Sequence, residues 1–443
     1  AGWRGLVVLA ACVLLPHAAA FQLPATPQVQ RGRSPSLTAL RCKDPSVGHT
    51  SLPTRRDVLQ GLQQSLPPLA AAAGLLGAKP AWAEYGSDVV GGLELIIPQE
   101  ALLGALVTAP VKNVIVTGAN SGVGMAAAKL LTAAGHHVTL ACRTQAKADA
   151  AAAACMEYAA SSSDAGPATG KAGFYAGRRA GGVAVGAECD LSSLASVRAF
   201  AESVKGKPLD ILSLNAGLSL NVGEKGEQFT ADNFELTVGT NHLGHFLLYN
   251  LLRPTLAKGV NPRLVVTASG VHDPASEGGK QGGPDKWASM GEFAGLEAGK
   301  GFSMVDGGQY DPDKAYKDSK LCNMLFMAEA ARREEGTITA NAFSPGLIAD
   351  PKGFFRNQNP IFAKLFYAIS QIAGVGENYD FAGSALAYMA VGPDLAGKTG
   401  GWYDALPLGK HSLAKHSAST EAQDVAKQAK LWQLSTKLVG LDK

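Results

Sequence analysis

A short glycine-rich stretch, TGANSGVG at residues 117–124, constrains the fold of this chain more than any other feature. It follows a run of mostly β-branched residues, NVIV, and precedes an alanine-rich segment with helical character. Because Gly118, Gly122 and Gly124 carry no side chains, the N–H groups at the start of that helix can approach a pyrophosphate, helped by the helix dipole. A glycine pattern alone is a weak signal. Its place between a strand and a helix predicts a dinucleotide-binding turn.

The next predicted strand, HHVTLACRT, ends at Arg143, about twenty residues past the glycines, where an NAD-selective site places an acid for a ribose hydroxyl. An arginine at this position suits the additional phosphate of NADP instead. Lys147 lies one helical turn later and adds positive charge. The alternative is that both residues are ordinary surface cations. The sequence therefore predicts NADPH as the cofactor.

Strand-like and helix-like segments alternate from residue 111 onwards, which predicts an α/β fold with a doubly wound, mostly parallel sheet of the Rossmann type. Further strands are predicted at VGAECD, LDILSLNAG, PRLVVTASG and ITANAFSP. Open α/β sheets bind their ligands beyond the carboxyl ends of the strands. The site candidates at these ends are Asp190, Leu191, Asn215, Ala216, Gly217, Ser269, Pro345 and Gly346.

Two helical segments carry polar residues that need an explanation. Tyr316 and Lys320 are four positions apart, which places both side chains on one helical face. The neighbouring Lys314, Lys317 and Asp318 leave open a solvated charged face with an incidental tyrosine. Asn241 lies among apolar residues in FELTVGTNHLGHFLL, where a buried amide satisfied by backbone groups is the alternative to a functional role.

Taken in order, the motifs TGxxxGxG, NAG, Asn241, Ser269, YxxxK and PG resemble the short-chain dehydrogenase/reductase family over about residues 111–350. This resemblance implies that Tyr316 is the proton donor and that Lys320 binds the nicotinamide ribose and lowers the tyrosine pKa. It implies that Ser269 holds the substrate or the phenol, and that Asn241 holds a water in a proton relay. The residues expected to contact the cofactor are Gly118, Asn120, Ser121, Gly122, Val123, Gly124, Arg143, Lys147, Asp190, Leu191, Asn215, Ala216, Gly217, Tyr316, Lys320, Pro345 and Gly346.

The separation of Ser269 and Tyr316 is 47 residues, which predicts an insert at 270–312, an extra loop or lid beside the substrate pocket. This insert, the helix around Asn241 and the C-terminal AKLWQLSTKLVGLDK closely resemble the light-dependent protochlorophyllide oxidoreductases. The similarity runs from about residue 111 to the C-terminus. Such enzymes bind NADPH and protochlorophyllide, absorb light through the pigment, and add a hydride and then a proton across its C17–C18 double bond.

Two positions depart from the pattern of these enzymes. Leu347 follows Pro-Gly where a cysteine is usual, and Ser219 stands where a tyrosine is usual. Both positions face the pigment in the family. The departures leave open a divergent plastid reductase that acts on another tetrapyrrole or a carotenoid, and a pigment-binding protein without catalysis. A homo-oligomer is also left open.

Residues 1–83 are predicted to be a multipartite plastid targeting leader. GLVVLAACVLLPHAAAFQLP fits a secretory signal, and residues 22–56 have the Ser-, Thr- and Arg-rich, acid-poor composition of a transit peptide. TRRDVLQ and the apolar run to AWA then resemble a twin-arginine signal for the thylakoid lumen, with a helix lying on a membrane as the alternative for 66–83. The whole resembles leaders of secondary plastids. The chain begins without Met, and its natural start is expected upstream.

The remaining boundaries are a linker at 84–110, a catalytic domain at 111–443 and a flexible insert rich in Gly, Ala and Ser at 159–186. A net charge of +3 without a dense basic block argues against a nucleic-acid partner. The six cysteines form no CxxC pair and have no His-rich neighbourhood, so neither a disulfide framework nor a metal site is predicted. Free thiols are expected.

One apolar segment, NPIFAKLFYAISQIAG at 359–374, has near-helical spacing of its large apolar side chains. Such a face is suited to covering a pigment or to contacting a thylakoid or plastid membrane surface, and ordinary core packing is the alternative. The residues concerned are Ile361, Phe362, Leu365, Phe366 and Ile369.

Overall fold

The computed structural model describes residues 95–163, 181–220, 226–350 and 360–442. The predicted targeting leader, 1–83, lies outside the described residues, and so does the middle of the insert predicted at 159–186.

A nine-stranded sheet forms the centre of the described domain, in the order β1-β9-β8-β7-β6-β5-β2-β3-β4. Strands β2 to β8 run parallel to one another, whereas β9 is antiparallel to β8 and to β1. This arrangement confirms the predicted α/β fold. The strands are β1 Leu95–Pro98, β2 Asn113–Thr117, β3 His137–Cys142, β4 Val183–Glu188, β5 Ile211–Leu214, β6 Arg263–Thr267, β7 Thr339–Phe343, β8 Trp402–Ala405 and β9 Ser412–His416.

Helices cover both faces of the sheet and bury one hydrophobic core on each face. Short turns of other helix types are the π-helical turn Gly239–Leu243 and the 3₁₀ turns Gly270–His272, Pro284–Lys286 and Pro393–Leu395. The α-helices are α1 Gln99–Thr108, α2 Gly122–Ala133, α3 Gln145–Ser163, α4 Leu194–Ser203, α5 Leu236–Val238, α6 Gly244–Leu256, α7 Ala294–Ala298, α8 Pro312–Arg333, α9 Pro360–Ile372, α10 Tyr379–Val391 and α11 Val425–Leu438.

The strand order reverses direction between β2 and β5. From β2 the chain builds outward to β3 and β4, and then returns to β5 on the other side of β2. The carboxyl ends of β2 and β5 therefore border the crevice in which sheets of this type bind ligands.

The prediction of a linker at 84–110 is wrong for residues 95–108. β1 pairs with β9, with Leu95 opposite Lys415, and α1 follows directly. Leu102 and Leu106 of α1 are fully buried in the core that also contains Phe381. The four-residue strand gives little local signal, and its partner lies near the other end of the chain.

The insert predicted at 159–186 also needs correction at both ends. Residues 159–163 belong to α3, and residues 183–186 belong to β4. Alanine favours helix strongly, so the Ala-rich segment extends α3 beyond the predicted boundary.

The segment 270–312 is packed against the domain through buried apolar side chains, which include Met290, Phe293 and Val305. Polar groups of this segment contact residues of α8. Lys314 Nζ lies 2.7 Å from Asp318 Oδ2 and 3.0 Å from Asp306 Oδ2. Asp318 in turn accepts a hydrogen bond from Ser289 N at 3.0 Å.

The charged residues around Tyr316 are therefore buried. Lys317 is 2% exposed and lies 3.0 Å from Asp313 Oδ2, and it donates to Gln281 O at 2.7 Å. The alternative of a solvated charged face is wrong, because these charges connect α8 to the segment 270–312.

None of the helices within the described ranges is long and apolar enough to cross a membrane. Cys142, Cys155, Cys189 and Cys322 are buried free thiols. Cys12 and Cys42 lie outside the described residues.

Candidate active site

The glycine-rich turn joins β2 to α2 at the crevice. Gly118 and Gly122 have φ angles of +66° and +56°, which favour glycine. A Cβ atom on Gly124 would lie 2.6 Å from Asn215 Nδ2 and 2.7 Å from Gly118 O, so no larger residue fits there. The other predicted contacts of this turn, Asn120, Ser121 and Val123, lie in the turn or in the first residues of α2, where the helix dipole favours negative charge.

Thr117, the last residue of β2, joins this turn to the end of β5. Its Oγ1 accepts hydrogen bonds from Asn215 N at 2.9 Å and from Ala216 N at 3.0 Å. Its carbonyl oxygen accepts a bond from Asn215 Nδ2 at 3.0 Å. A Cβ atom on Gly118 would lie 2.9 Å from Ala216 Cα. The predicted residues Asn215 and Ala216 therefore lie directly against the glycine turn.

Thr117 also contacts His245, a buried histidine that the sequence analysis did not single out. Thr117 Oγ1 lies 2.9 Å from His245 Nε2, and His245 Nδ1 lies 3.0 Å from Asn241 O. Because a carbonyl only accepts, Nδ1 carries the proton and Nε2 accepts from the hydroxyl. Burial lowers the pKa of His245 to about 4, so the imidazole is neutral near pH 7. The sequence offered one signal for His245, its spacing of four residues from Asn241, which places the two residues on neighbouring helical turns.

Asn241 lies in the π-helical turn, and its amide makes three hydrogen bonds. Oδ1 accepts from Leu218 N at 2.9 Å, and Nδ2 donates to Leu218 O at 2.9 Å and to Ser319 Oγ at 3.0 Å. These contacts match the alternative given for Asn241, a buried amide whose hydrogen bonds are made largely to backbone groups. One acceptor position on Oδ1 remains for a water. The role of Asn241 in a proton relay stays a prediction, and its visible contacts join the loop after β5 to α8.

Tyr316, Lys320 and Ser269 lie together at the carboxyl ends of β5 and β6. Lys320 Nζ lies 5.5 Å from the centre of the Tyr316 ring and donates to Thr267 O at 3.1 Å. The Tyr316 side chain is hydrogen-bonded to that of Ser269. A Cβ atom on Gly217 would lie 3.5 Å from both Lys320 Nζ and Asn241 Oδ1. The structure therefore brings the four predicted catalytic residues together with the predicted turn after β5.

The pKa of Tyr316 differs from the expectation that Lys320 lowers it. Burial raises the pKa of Tyr316, and the hydrogen bond with Ser269 only partly opposes this rise. Lowering by Lys320 is therefore not the dominant effect. Burial also lowers the pKa of Lys320 to about 8. The phenol is therefore protonated at neutral pH and has a proton to donate, although the raised pKa makes it a weaker acid than a solvated tyrosine.

A second histidine missed by the sequence analysis fixes the turn at Ser269. His272 Nδ1 donates to Ser269 O at 2.8 Å, and Nε2 accepts from Ser419 N at 3.3 Å. Ser269 Oγ accepts from Val271 N at 3.4 Å. No sequence motif indicates this contact between the end of β6 and the C-terminal segment.

The residues predicted to select and bind the nucleotide lie at the ends of β3 and β4. Arg143 is exposed directly after β3, and Lys147 is exposed in the first turn of α3. Asp190 follows β4, and its Oδ1 accepts from Ser192 N at 3.0 Å and from Ser192 Oγ at 2.7 Å. Leu191 is buried. The cofactor contacts of all four stay predictions.

The Pro345–Gly346 loop follows β7 and is fixed by Glu377, which the sequence analysis also missed. Gly346 has φ +78°, and a Cβ atom there would lie 2.6 Å from Glu377 Cγ. Glu377 N donates to Leu347 O at 2.8 Å. The buried Glu377 carboxylate accepts from Gly409 N at 2.9 Å and lies 2.5 Å from His411 Nδ1.

Two comparisons with known sequences identify relatives of the chain. The family model described as short chain dehydrogenase matches residues 112–281. The chain is 40% identical over 341 residues to a chloroplastic protochlorophyllide reductase of Cucumis sativus, covering 74% of this chain and 78% of that protein. It is 38% identical to a protochlorophyllide reductase of Avena sativa, covering 74% of this chain and 99% of that protein.

A comparison with solved structures agrees on the fold. An uncharacterised protein from Mycobacterium paratuberculosis matches with a TM-score of 0.52 and 28% sequence identity. The match covers 76% of this chain and 97% of that chain. Within the described residues, no group of three His, Cys, Asp or Glu side chains is placed to hold a metal ion.

The contacts of Thr117 lead to a stability prediction. Thr117→Val should lower the free energy of unfolding by about 2–4 kcal/mol, because two backbone N–H groups lose their acceptor. Thr117→Ser keeps the hydroxyl and should lose about 1 kcal/mol or less. Urea unfolding followed by circular dichroism measures both, and equal losses for the two variants would contradict the role assigned to the hydroxyl.

Proposed function

Because the chain belongs to the protochlorophyllide reductases of the short-chain dehydrogenase/reductase family, we propose that it carries out the light-driven reduction of protochlorophyllide by NADPH. The chain is an oxidoreductase of chlorophyll biosynthesis, and its reaction reduces the C17–C18 double bond to give chlorophyllide. The observation that carries this function is the grouping of Tyr316, Lys320 and Ser269 beside the glycine-rich turn.

The residues present fit a nicotinamide cofactor, since the N-terminus of α2 and two positive-φ glycines form the turn that a pyrophosphate requires. The bound cofactor supplies the hydride. Tyr316 remains protonated and donates the proton from its hydroxyl, which Ser269 orients. The Lys320 ammonium, 5.5 Å from the ring centre, stabilises the phenolate that proton donation leaves.

Arg143 and Lys147 support NADPH as the form of the cofactor. Arg143 is exposed at the carboxyl end of β3 and Lys147 is exposed in the first turn of α3, so two positive charges are available to the phosphate that distinguishes NADPH from NADH. Charge-assisted hydrogen bonds from arginine suit a phosphate especially well.

Arg143→Ala should weaken NADPH binding about tenfold or more and leave NADH binding nearly unchanged, because only NADPH loses a charge-assisted contact. Titration of cofactor fluorescence with both cofactors measures this. Lys258→Ala removes an exposed cation elsewhere on the domain and serves as the control. An equal loss of affinity for NADPH and NADH in Arg143→Ala would contradict the proposed selectivity.

Leu347 and Ser219 stand at two positions that face the pigment in the family, where other residues are usual. Leu347 has no proton to donate, so the proton must come from Tyr316 or from an ordered water. Two alternatives remain as outcomes of the assay below. One is reduction of another tetrapyrrole or of a carotenoid, and the other is pigment binding without turnover.

The protein with NADPH and protochlorophyllide should form chlorophyllide under illumination and none in darkness. Tyr316→Phe should slow product formation by about 100-fold or more, because it removes the proposed proton donor. Tyr158 lies on α3 and serves as the control, so Tyr158→Phe should retain the wild-type rate. Chlorophyllide absorbance in illuminated and dark samples measures both.

The outcomes of this assay separate the alternatives. Dark turnover of another pigment would favour the divergent reductase, and tight pigment binding without product would favour the carrier. If the thiol missing at position 347 is the main difference from the family, Leu347→Cys should raise the rate.

We place the protein in the plastid, at a thylakoid or plastid membrane surface. The leader composition and the chloroplastic relatives support the plastid. The membrane surface rests on α9, whose Leu365 and Ile372 are 56% and 87% exposed. Phe366 and Ile369 are partly buried, and the side chains of Ile361 and Phe362 lie outside the described residues.

A double substitution, Leu365→Ser with Ile372→Ser, should abolish flotation with liposomes of plastid lipids, because it removes exposed apolar area from one helix. Val425→Ser changes a residue that is 55% exposed at the start of α11 and should float like the wild type. Absence of wild-type flotation, with and without pigment and NADPH, would remove the membrane proposal.

A further inference from the structure

Two exposed residues, Gln145 and Glu188, join the start of α3 to the end of β4 by a pair of reciprocal hydrogen bonds. Gln145 N donates to Glu188 Oε2 at 3.0 Å, and Glu188 N donates to Gln145 Oε1 at 3.1 Å. Gln145 Nε2 also donates to Gly186 O at 3.3 Å. The side chain of the first residue of α3 is therefore bonded to the backbone of β4 at two positions.

The backbone of α3 also approaches β4 closely at Gly186. A Cβ atom on Gly186 would lie 2.4 Å from Ala148 C and 2.6 Å from Asp149 N, so only glycine fits there. Asp149 Oδ1 accepts from Gln145 Nε2 at 2.7 Å, which fixes the direction of the glutamine amide. The first turn of α3 thus lies directly on β4, the last strand in the order of the sheet.

Gln145 lies between the two cations that are proposed to bind the phosphate of NADPH. It is two residues from Arg143 and two residues from Lys147. The pairing of β3 with β4 ends just before this turn, because Cys142 is the last residue of β3 and lies opposite Glu188. Beyond Cys142 the chain turns into α3, and the bonds of Gln145 hold that turn to the strand.

We propose that Gln145 and Glu188 are positioning residues for cofactor selectivity, which fix the turn that carries Arg143 and Lys147. Ordering a flexible segment at the moment of binding costs conformational entropy, so a turn already held in one conformation binds a phosphate at a smaller cost. NADH lacks that phosphate and gains nothing from the fixed turn. This inference rests on the NADPH cofactor of the proposed function.

Two substitutions of Glu188 separate positioning from charge, since both remove the negative charge and only one removes the acceptor. Glu188→Ala should weaken NADPH binding about fivefold, because Gln145 N loses its partner and the turn loses its restraint. Glu188→Gln keeps a carbonyl oxygen that accepts from Gln145 N, so it should bind NADPH at least as tightly as the wild type. NADH affinity should be unchanged in both. Dissociation constants from cofactor fluorescence of the full chain measure these affinities.

Gln145→Met tests the other partner. It keeps an unbranched side chain but loses the bonds to Glu188 N and Gly186 O, so it should also weaken NADPH about fivefold and leave NADH unchanged. Combined with Glu188→Ala, it should cost less than the product of the two single losses, because both substitutions release the same turn. Single losses that multiply in the double variant would make the two residues independent and would contradict the shared role.

Glu202→Ala is the matched control for the loss of an exposed carboxylate. Glu202 lies on α4 and pairs with Lys205 at 2.9 Å. Its replacement should leave both affinities unchanged. Equal tightening of NADPH by Glu188→Ala and Glu188→Gln would show an effect of charge alone and would overturn the inference. Equal weakening of NADPH and NADH by Glu188→Ala would show a general disturbance of the nucleotide site, and that result would overturn it too.

The same titrations separate a failure of this inference from a failure of the proposed cofactor. If the wild type binds NADPH no more tightly than NADH, the proposed cofactor fails and the inference fails with it. If the wild type prefers NADPH and the variants Glu188→Ala and Gln145→Met keep that preference, only the inference fails.

Discussion

The Thr117 hydroxyl is the contact on which the geometry of the site most depends. Its oxygen accepts from two successive N–H groups at the end of β5, and it donates to a neutral imidazole whose other nitrogen is bonded to the backbone of Asn241. One side chain thereby fixes the glycine turn, the turn after β5 and the π-helical turn relative to one another. The low pKa of His245 keeps this chain of donors and acceptors in one arrangement across the neutral range.

Buried ion pairs hold the helix of the proton donor in place. Lys314, which contacts both Asp306 and Asp318, is mostly buried, so these charges are weakly screened and are paired with each other. Lys286 also contacts Asp311 at the start of α8. The segment 270–312 is in this way attached to the helix that carries Tyr316, and the ring is held where Ser269 and Lys320 can act on it.

Sequence patterns predicted what is encoded locally. The strands β2 to β7, the glycines and the spacing of Tyr316 and Lys320 follow from short-range periodicity and from backbone requirements that only certain residues meet. Thr117, His272 and Glu377 could not be found in this way, because each has at least one partner that lies far away in the sequence. The sequence did not predict that Lys314 and Asp318 are buried, since their further partners, Asp306 and Ser289, come from a segment without a regular pattern.

The pairing of β1 with β9 has a consequence for how the domain folds. Leu95 lies opposite Lys415, so the outer edge of the sheet forms only when almost the whole catalytic chain is available. Contacts of such long sequence separation slow folding and extend the life of incompletely closed intermediates. The connection between β8 and β9 carries Gly409 and His411 to Glu377, and Glu377 in turn contacts the loop after β7. A chain still emerging from a ribosome or a translocation pore would therefore hold an unfinished active site until its last strand arrives.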